Sequence, residues 1–322
     1  MHHGNCVHCY KMADDILIRV NENLNRNYQC LKEKQMEAVF ACMSTDVLAI
    51  LPTGYGKTLI IECLPFLTRS ASCVVVVNPL NAIIIEQKQR LGKHCIVIDE
   101  SLLKDLSNDQ TIYDRRKTEI KRLKNGEFFF IIGHPEVMQT EIVKKLFLQE
   151  PLSSRISHLV IDEAHCIISW GKSEFRPAFI KLGLLRAVLT DAKVLALTAT
   201  ASRSAEKEIL ESLLMHKAHV IRQSPDRPNM YLEVKERPPS TGDVQASYNQ
   251  VLDPYFLNLQ KDKTDFPRTI MYMPLKWCGY AHQRYLTKFE DLHINQSQEY
   301  TGNFSSILAQ FHAPQTSEVS TY

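Results

Sequence analysis

Val47-Leu-Ala-Ile-Leu-Pro-Thr-Gly-Tyr-Gly-Lys-Thr58 is the stretch whose reading decides the fold. Val47 to Leu51 is a short aliphatic run of the kind that forms a buried strand. A loop with glycines at 54 and 56 follows, and the pattern from Thr58 to Leu67 predicts a helix. Strand, glycine loop and helix in that order give the setting in which backbone N–H groups turn toward phosphate oxygens at a helix N-terminus. Gly54 and Gly56 permit that turn, with Thr53 beside them as a further candidate contact. Lys57 supplies a charge for the β and γ phosphates, and the Thr58 hydroxyl suits Mg2+. Alone, the stretch specifies a nucleoside triphosphate site of variant form and nothing narrower.

Outward from this unit the same alternation repeats. Cys73 to Val77, Cys95 to Ile98, Phe128 to Ile132, His158 to Ile161 and Lys193 to Leu197 read as buried strands. Between and after them, helical patterns run over Lys34 to Met43, Ala82 to Leu91, Ile112 to Lys124, Phe179 to Leu189 and Ser204 to Met215. This is the pattern of an α/β fold on a parallel sheet. Turn formers then gather in Gln223-Ser-Pro-Asp-Arg-Pro-Asn229 and Glu236-Arg-Pro-Pro-Ser-Thr-Gly242, which marks a boundary. Beyond it, Ala246 to Leu259 and Trp277 to Phe289 read as helices and Arg268 to Met273 as a strand. The expected organisation is an N-terminal tail or helix over 1–24, a first domain over 25–222, a linker over 223–245 and a partial second domain over 246–322. A complete domain of this type needs on the order of 100 to 150 residues, so the second reads as truncated.

Composition narrows the partners. The 322 residues are 44% hydrophobic and 23% charged, an ordinary globular balance that excludes collagen-like and wholly disordered chains. The formal charge of +2 creates no global field for a polyanion, so any nucleic-acid site must be local. The most apolar region, Cys73 to Ile85, is broken by Asn78, Pro79 and Asn81, which excludes a membrane span as the chain's partner. Nine scattered cysteines suit a reducing compartment better than a disulfide framework. His2, His3, Cys6, His8 and Cys9 include one Cys-x-x-Cys without a second pair, and they read as a tail rather than a metal site. The basic run Arg115-Arg-Lys117 with Lys121, Arg122 and Lys124 reads as a solvated helix face.

A second element carries chemistry. Leu159-Val-Ile-Asp-Glu-Ala-His165 is an apolar strand delivering adjacent carboxylates at its C-terminal end. Asp162 is placed to hold Mg2+ through water and Glu163 to polarise an attacking water, two tasks that phosphoryl transfer needs side by side.

Asp162-Glu-Ala-His165, continuing as Cys166-Ile-Ile-Ser-Trp-Gly-Lys-Ser-Glu-Phe-Arg-Pro177, resembles the RecQ family of superfamily 2 DNA helicases. The Cys-x-x-x-Trp-Gly and Phe-Arg-Pro parts are similar to the aromatic-rich loop that couples single-stranded DNA to ATP hydrolysis in that family. Further similarities run in family order. Tyr28 and Gln35 are similar to the adenine-reading motif, with Lys32 where the family usually has arginine. Val76-Val-Asn-Pro-Leu80 resembles a motif that touches the DNA backbone, and Gly133-His-Pro-Glu136 the family's Thr-Pro-Glu with His134 substituted. Ala196-Leu-Thr-Ala-Thr-Ala201 resembles the segment joining hydrolysis to strand separation, and Asp226-Arg-Pro-Asn229 the lead into the second motor domain.

The resemblance implies tandem RecA-like domains, the cofactors ATP and Mg2+, and single-stranded and duplex DNA as partners. Protein partners stay unspecified. It implies catalytic roles for Lys57, Asp162, Glu163 and His165, and nucleotide contacts at Tyr28, Lys32, Gln35, Thr53, Gly54, Gly56, Lys57 and Thr58. By the same resemblance Thr58 and Asp162 are expected to hold the ion, and Trp170, Phe175, Arg176, Thr198 and Thr200 to couple DNA to the site. It further implies 3′ to 5′ translocation and a nuclear location, with the cytoplasm as the alternative. As isolated residues, Gln35 reads as a surface helix position, Trp170 and Phe175 as caps on a core, and the threonines as strand ends. No Gln-x-x-Gly-Arg-x-Gly-Arg segment follows Met273. An arginine finger is worth about 10³ to 10⁵ in rate, so nucleotide binding with feeble hydrolysis is expected. The competing reading is a non-motor protein that uses one ATP-binding domain to grip nucleic acid.

Overall fold

The computed structural model describes residues 7–68, 70–103, 110–170, 176–226 and 230–290, apart from 235, 240, 241, 263 and 264. Two compact units divide the chain, Met1–Arg227 and Pro228–Tyr322.

In the first unit the strands are β1 (Val47–Ile50), β2 (Cys73–Val77), β3 (Cys95–Ile98), β4 (Phe130–Gly133), β5 (Ile156–Ile161), β6 (Lys193–Thr198) and β7 (His219–Arg222). Helices α1 (Val7–Leu24), α2 (Glu33–Ala41), α3 (Lys57–Cys63), α4 (Asn81–Leu91), α5 (Glu100–Leu103) and α6 (Gln110–Asn125) alternate with the first strands. They are followed by α7 (Pro135–Met138), α8 (Glu141–Phe147), α9 (Leu152–Arg155), α10 (Cys166–Ser169) and α11 (Arg203–Ser212). The seven strands form one sheet in the order β3-β4-β2-β5-β6-β1-β7, and every recorded pairing is parallel. The α/β reading is met.

Alternate side chains of each strand enter separate cores on the two sheet faces. Leu48, Ile50, Val75, Val77 and Ile131 pack in one, while Val47, Ala49, Val74, Val76 and Ile132 pack in the other. Each such burial stabilises by about 1.5–3 kcal/mol, which explains strands that are apolar at every position instead of alternating. Ile16, Leu17, Val20 and Leu24 of α1 join the second core. A boundary drawn at residue 25 leaves this helix outside, whereas its apolar face packs within the first unit.

Two local expectations need correction. Phe179 to Leu189, read as a helical pattern, forms a 3-10 helix over Pro177–Ala187 rather than an α-helix. Phe179, Leu182 and Leu185 are its fully buried residues, and their spacing of three matches three residues per turn. The strand expected over Arg268 to Met273 is not formed; the stretch pairs with no strand among the described residues. Its side chains still alternate, with Met271 and Met273 against the second unit's core and Ile270 and Tyr272 exposed. Without a neighbouring ladder, alternation alone makes no sheet. The described part of this unit is built on α12 (Val244–Asp262) and α13 (Leu275–Glu290). Leu252, Phe256, Ala281 and Tyr285 form its core, and Arg284 makes a two-point pair with Asp253 at 2.8 and 2.7 Å.

Candidate nucleotide and DNA-coupling site

Parallel register gathers the motifs at one edge of the sheet. Ile50 pairs with Thr198, Ile161 with Ala196, Val77 with Ile161, and Val77 with Gly133. The segments leaving β1, β6, β5, β2 and β4 therefore emerge side by side at the strands' C-terminal ends, where open α/β sheets hold ligands.

The β1 loop takes its shape from its glycines. Gly54 and Gly56 have φ of 78° and 93°, and Gly56 caps α3. At Gly56 the positive φ favours glycine, and a Cβ would lie 2.5 Å from the Gln35 Nε2, so that amide would have to shift for any side chain. Gln35 is buried, and its Nε2 donates to the Tyr55 and Gly56 carbonyls at 3.1 and 2.9 Å while its Oε1 accepts from the Lys32 N–H at 2.8 Å. This amide braces the loop from beneath. Lys32 lies 5.0 Å over the Tyr55 ring. Thr53 and Gly54 are exposed and Thr58 is half-buried. The Lys57 Nζ donates to the Leu51 carbonyl at 3.2 Å.

The carboxylates lie close to that ammonium. Burial pushes the Asp162 carboxyl up to about 6, the neighbouring Glu163 adds to the rise, and Lys57 pulls it back. Glu163 is held below its ordinary value chiefly by its hydrogen bond to His165, with Lys57 acting in the same direction. Glu163 has a φ of 49°, the left-handed turn that swings the chain off the end of β5. The Ala164 N–H then donates to the Leu197 carbonyl at 2.8 Å and ties that turn to β6.

His165 links the carboxylate to the threonines. Its Nδ1 lies 3.3 Å from Glu163 Oε2 and 3.1 Å from Thr198 Oγ1. The Thr198 hydroxyl donates its only proton to the Thr200 carbonyl at 2.9 Å, so it faces the ring as an acceptor and Nδ1 carries a proton. Cys166 Sγ, 3.8 Å from Nε2, and Glu163 together raise the imidazole to about 10. Thr198 is fully buried and Thr200 exposed, which makes the pair a path from the interior to the surface.

Arg176 is committed within the unit. It pairs with Glu136 through two hydrogen bonds, donates to the Pro79 carbonyl, and lies 5.6 and 5.2 Å from the ring centres of Trp170 and Phe179. Trp170 meets Phe179 edge-on at 5.8 Å. Phe175 lies outside the described residues, as do His2, His3 and Cys6 of the N-terminal cluster. Beside Arg176, the His134 Nδ1 is 3.1 Å from the Asn78 carbonyl and Nε2 is 2.6 Å from the Asn81 side chain. Burial and Arg176 hold its pKa down.

Tyr28 stands apart from the phosphate loop. Its hydroxyl donates to Glu62 Oε2 at 2.7 Å and accepts from Arg90. Glu62 is buried on α3 and also receives Arg26 at 3.3 Å and Arg90 at 2.9 Å. Sequence reasoning did not single out Glu62, although a lone carboxylate inside Leu59-Ile-Ile-Glu-Cys-Leu64 is the signal that could have found it. Glu136 appeared only as part of a motif; its partner, forty residues away, was not deducible.

The profile of the DEAD/DEAH box helicase family matches residues 32–209, more than half of the chain. Among curated proteins, the ATP-dependent helicase SGS1 of Saccharomyces cerevisiae is 27% identical over 237 residues, covering 72% of this chain and 16% of that protein. The ATP-dependent DNA helicase RecQ of Haemophilus influenzae is 32% identical over 211 residues, covering 65% of this chain and 32% of the relative. The RecQ-like DNA helicase BLM of Xenopus laevis is 30% identical over 214 residues, with 65% and 15% covered. The chain thus spans less than a third of the length of each of these relatives.

Proposed function

The chain belongs to the DEAD/DEAH box helicase family, and from that premise we propose that it is the ATP-binding part of a RecQ-like DNA helicase. Its relatives that carry the word RecQ in their names are DNA helicases, which supports DNA over RNA as the polymer. The observation that carries the reading is the convergence of Lys57, Asp162, Glu163, His165 and Thr198 at three adjacent strand ends.

These residues fit Mg2+ and ATP. The loop backbone turns through two positive-φ glycines, a positive charge lies within reach of both carboxyls, and the Thr58 hydroxyl follows the ammonium in sequence. Lys57 and the loop amides would hold phosphate, and Thr58 with Asp162 the ion. Bound there, the nucleotide would supply a phosphoryl group open to attack by water, its charge eased by the metal. Glu163 is the group placed to orient that water. His165, bonded to both Glu163 and Thr198, passes the state of the site to Thr200 and the Trp170 segment. Translocation 3′ to 5′, a partial second RecA-like domain beyond the linker, and nuclear placement in a eukaryotic source belong to the same proposal. They rest on the family resemblance.

ATP turnover by the purified chain, with and without single-stranded DNA, tests the reading, with Glu163→Gln as control. Turnover stimulated by DNA and lost in the variant supports a motor. ATP binding without turnover favours a nucleotide-gated binding module, and unchanged ATP affinity in Lys57→Ala overturns the phosphate-loop assignment.

A further inference from the structure

Arg222 ends β7, and its side chain reaches across the sheet instead of along it. β1 separates β7 from β6 in the strand order. Even so, the Arg222 Nη1 donates to the Ala201 carbonyl at 2.9 Å, in the loop that leaves β6, and Nη2 pairs with Glu206 in the first turn of α11. The guanidinium therefore bridges the end of β1, where the phosphate loop begins. Main-chain bonds close the same bracket, with the Leu51 N–H donating to the Thr198 carbonyl at 2.9 Å and the Gln223 N–H to the Ile50 carbonyl at 3.0 Å. Ala201 directly follows Thr200, whose carbonyl takes the proton of the Thr198 hydroxyl that His165 also contacts. One run of contacts thus leads from Glu163 through His165, Thr198, Thr200 and Ala201 to Arg222, the last residue of the last strand.

Two further observations set Arg222 apart from an ordinary brace. Its Nε is buried with no hydrogen-bond partner among the described residues, an unfavourable placement that calls for a reason. Glu206 already has a second cation in Arg203 at 3.3 Å, so that carboxylate does not depend on Arg222 for its counter-charge. What Arg222 adds is a tie from Ala201 and α11 to the strand that opens the linker.

We infer that Arg222 is a positioning residue that passes the state of the phosphate site to residues 223–226, where the chain leaves β7. The inference rests on the reading of Lys57, Asp162 and Glu163 as an ATP site, and it assigns a role to a residue outside 32–209, the range that the family profile matches. Nucleotide phosphates beside Glu163 change the field at His165 and so its bond to Thr198, and Ala201 moves with Thr200. A planar guanidinium bonded at two points carries such a displacement, where a single flexible contact would absorb it. Coupling between sites needs an element with two arrangements, and the Gln223 N–H, which keeps or leaves the Ile50 carbonyl, supplies one.

Hydrogen exchange of the full chain, read over residues 219–226 with and without a non-hydrolysable ATP analogue and Mg2+, tests this. In the parent chain the analogue should slow exchange at the Gln223 amide about fivefold or more. Arg222→Gln should bind the analogue within about twofold of the parent, because Arg222 touches none of the residues assigned to the nucleotide, yet lose that slowing. Arg222→Lys, which keeps the charge without the fork, should restore it only in part. Glu206→Gln should diminish it as well, and serves if the Arg222→Gln chain does not fold. An arginine that only braces the fold would shift exchange equally with and without the analogue. Full slowing in Arg222→Gln, or none in a parent chain that binds the analogue, overturns the inference. A parent chain that binds no analogue overturns the ATP-site reading and this inference with it.

Discussion

The Arg176 guanidinium grips Glu136 at two points, Nε to Oε1 at 2.7 Å and Nη2 to Oε2 at 2.6 Å, across a sequence gap of 40 residues. The pair fastens the segment after Trp170 to the helix after β4, and the Arg176 bond to the Pro79 carbonyl fastens it to the end of β2. Three segments that resemble family motifs are thus tied together by one side chain. Glu136 is 45% exposed, so solvent screens part of the pair's strength. Glu136→Ala should lower unfolding free energy by about 1 kcal/mol, whereas Arg176→Ala, which also strips the Trp170 and Phe179 faces, should cost about 2 kcal/mol. Urea denaturation of both variants and of the double variant checks this. Strict additivity would show that the pair is not coupled.

Gly56 and Gln35 make a sharper case because one steric contact joins them. Gly56→Ala places a methyl group 2.5 Å from the Gln35 Nε2 at a φ of 93°. The left-handed backbone alone costs about 1–2 kcal/mol for an L-residue, and the clash adds to it. Gln35→Ala removes the obstacle but also the brace under the loop. The double variant should therefore be less destabilised than the sum of the singles, by about 0.5 kcal/mol or more. Equilibrium unfolding of the four proteins of this cycle gives the answer, and a zero coupling would place the amide elsewhere.

How much of this was legible follows from the range of the forces involved. The central strands are written in local code, because burial on both faces makes every position apolar. The short strand β7 is hidden: only Ile221 is buried, while His219 and Arg222 at its ends are polar. The 3-10 helix after Arg176 carried its signature in the spacing of Phe179, Leu182 and Leu185, a period of three that passes for a helix period in a short window. At the site, the residue types of the phosphate loop and of Asp162 to His165 were readable from sequence. That Gln35 faces the loop backbone and Tyr28 faces Glu62 was not, because both depend on contacts between segments 20 or more residues apart.

His165 sets a pH dependence whose direction is fixed by its neighbours. Its folded pKa is raised from 6.5 to about 10, so the stabilisation it gives is complete below pH 6.5 and is lost as pH rises toward 10. Glu163 has the opposite sense: lowered from 4.5, it stabilises above that value and ceases to do so as acid protonates it. Asp162, raised from 3.8 to about 6, adds a destabilising slope between those two values only. Between pH 6.5 and 8 the decline in melting temperature should therefore belong to His165, whereas nearer pH 9 the buried Cys42, Cys63, Cys73 and Cys95 thiols, raised from 9.0, add a loss of their own. His165→Gln should flatten it, and an unchanged slope in that variant would mean that the imidazole is not held protonated.

Glu62 is the one carboxylate between two guanidiniums and a phenol, and it is 1% exposed. Removing it by Glu62→Ala leaves Arg26 and Arg90 facing each other without that counter-charge; both keep some contact with water, so the cost should be about 1–3 kcal/mol. Tyr28→Phe removes only a hydroxyl and leaves Glu62 with both arginines, for about 1 kcal/mol. The same substitution separates two roles of Tyr28. A ring that stacks on adenine survives in phenylalanine, so ATP affinity should stay within about twofold while the urea midpoint falls. Tyr28→Leu should lower both. If Tyr28→Leu binds ATP as tightly as the parent chain, the tyrosine serves only the Glu62 cluster, and adenine recognition must be sought among the residues nearer the loop, with Lys32 the first to change.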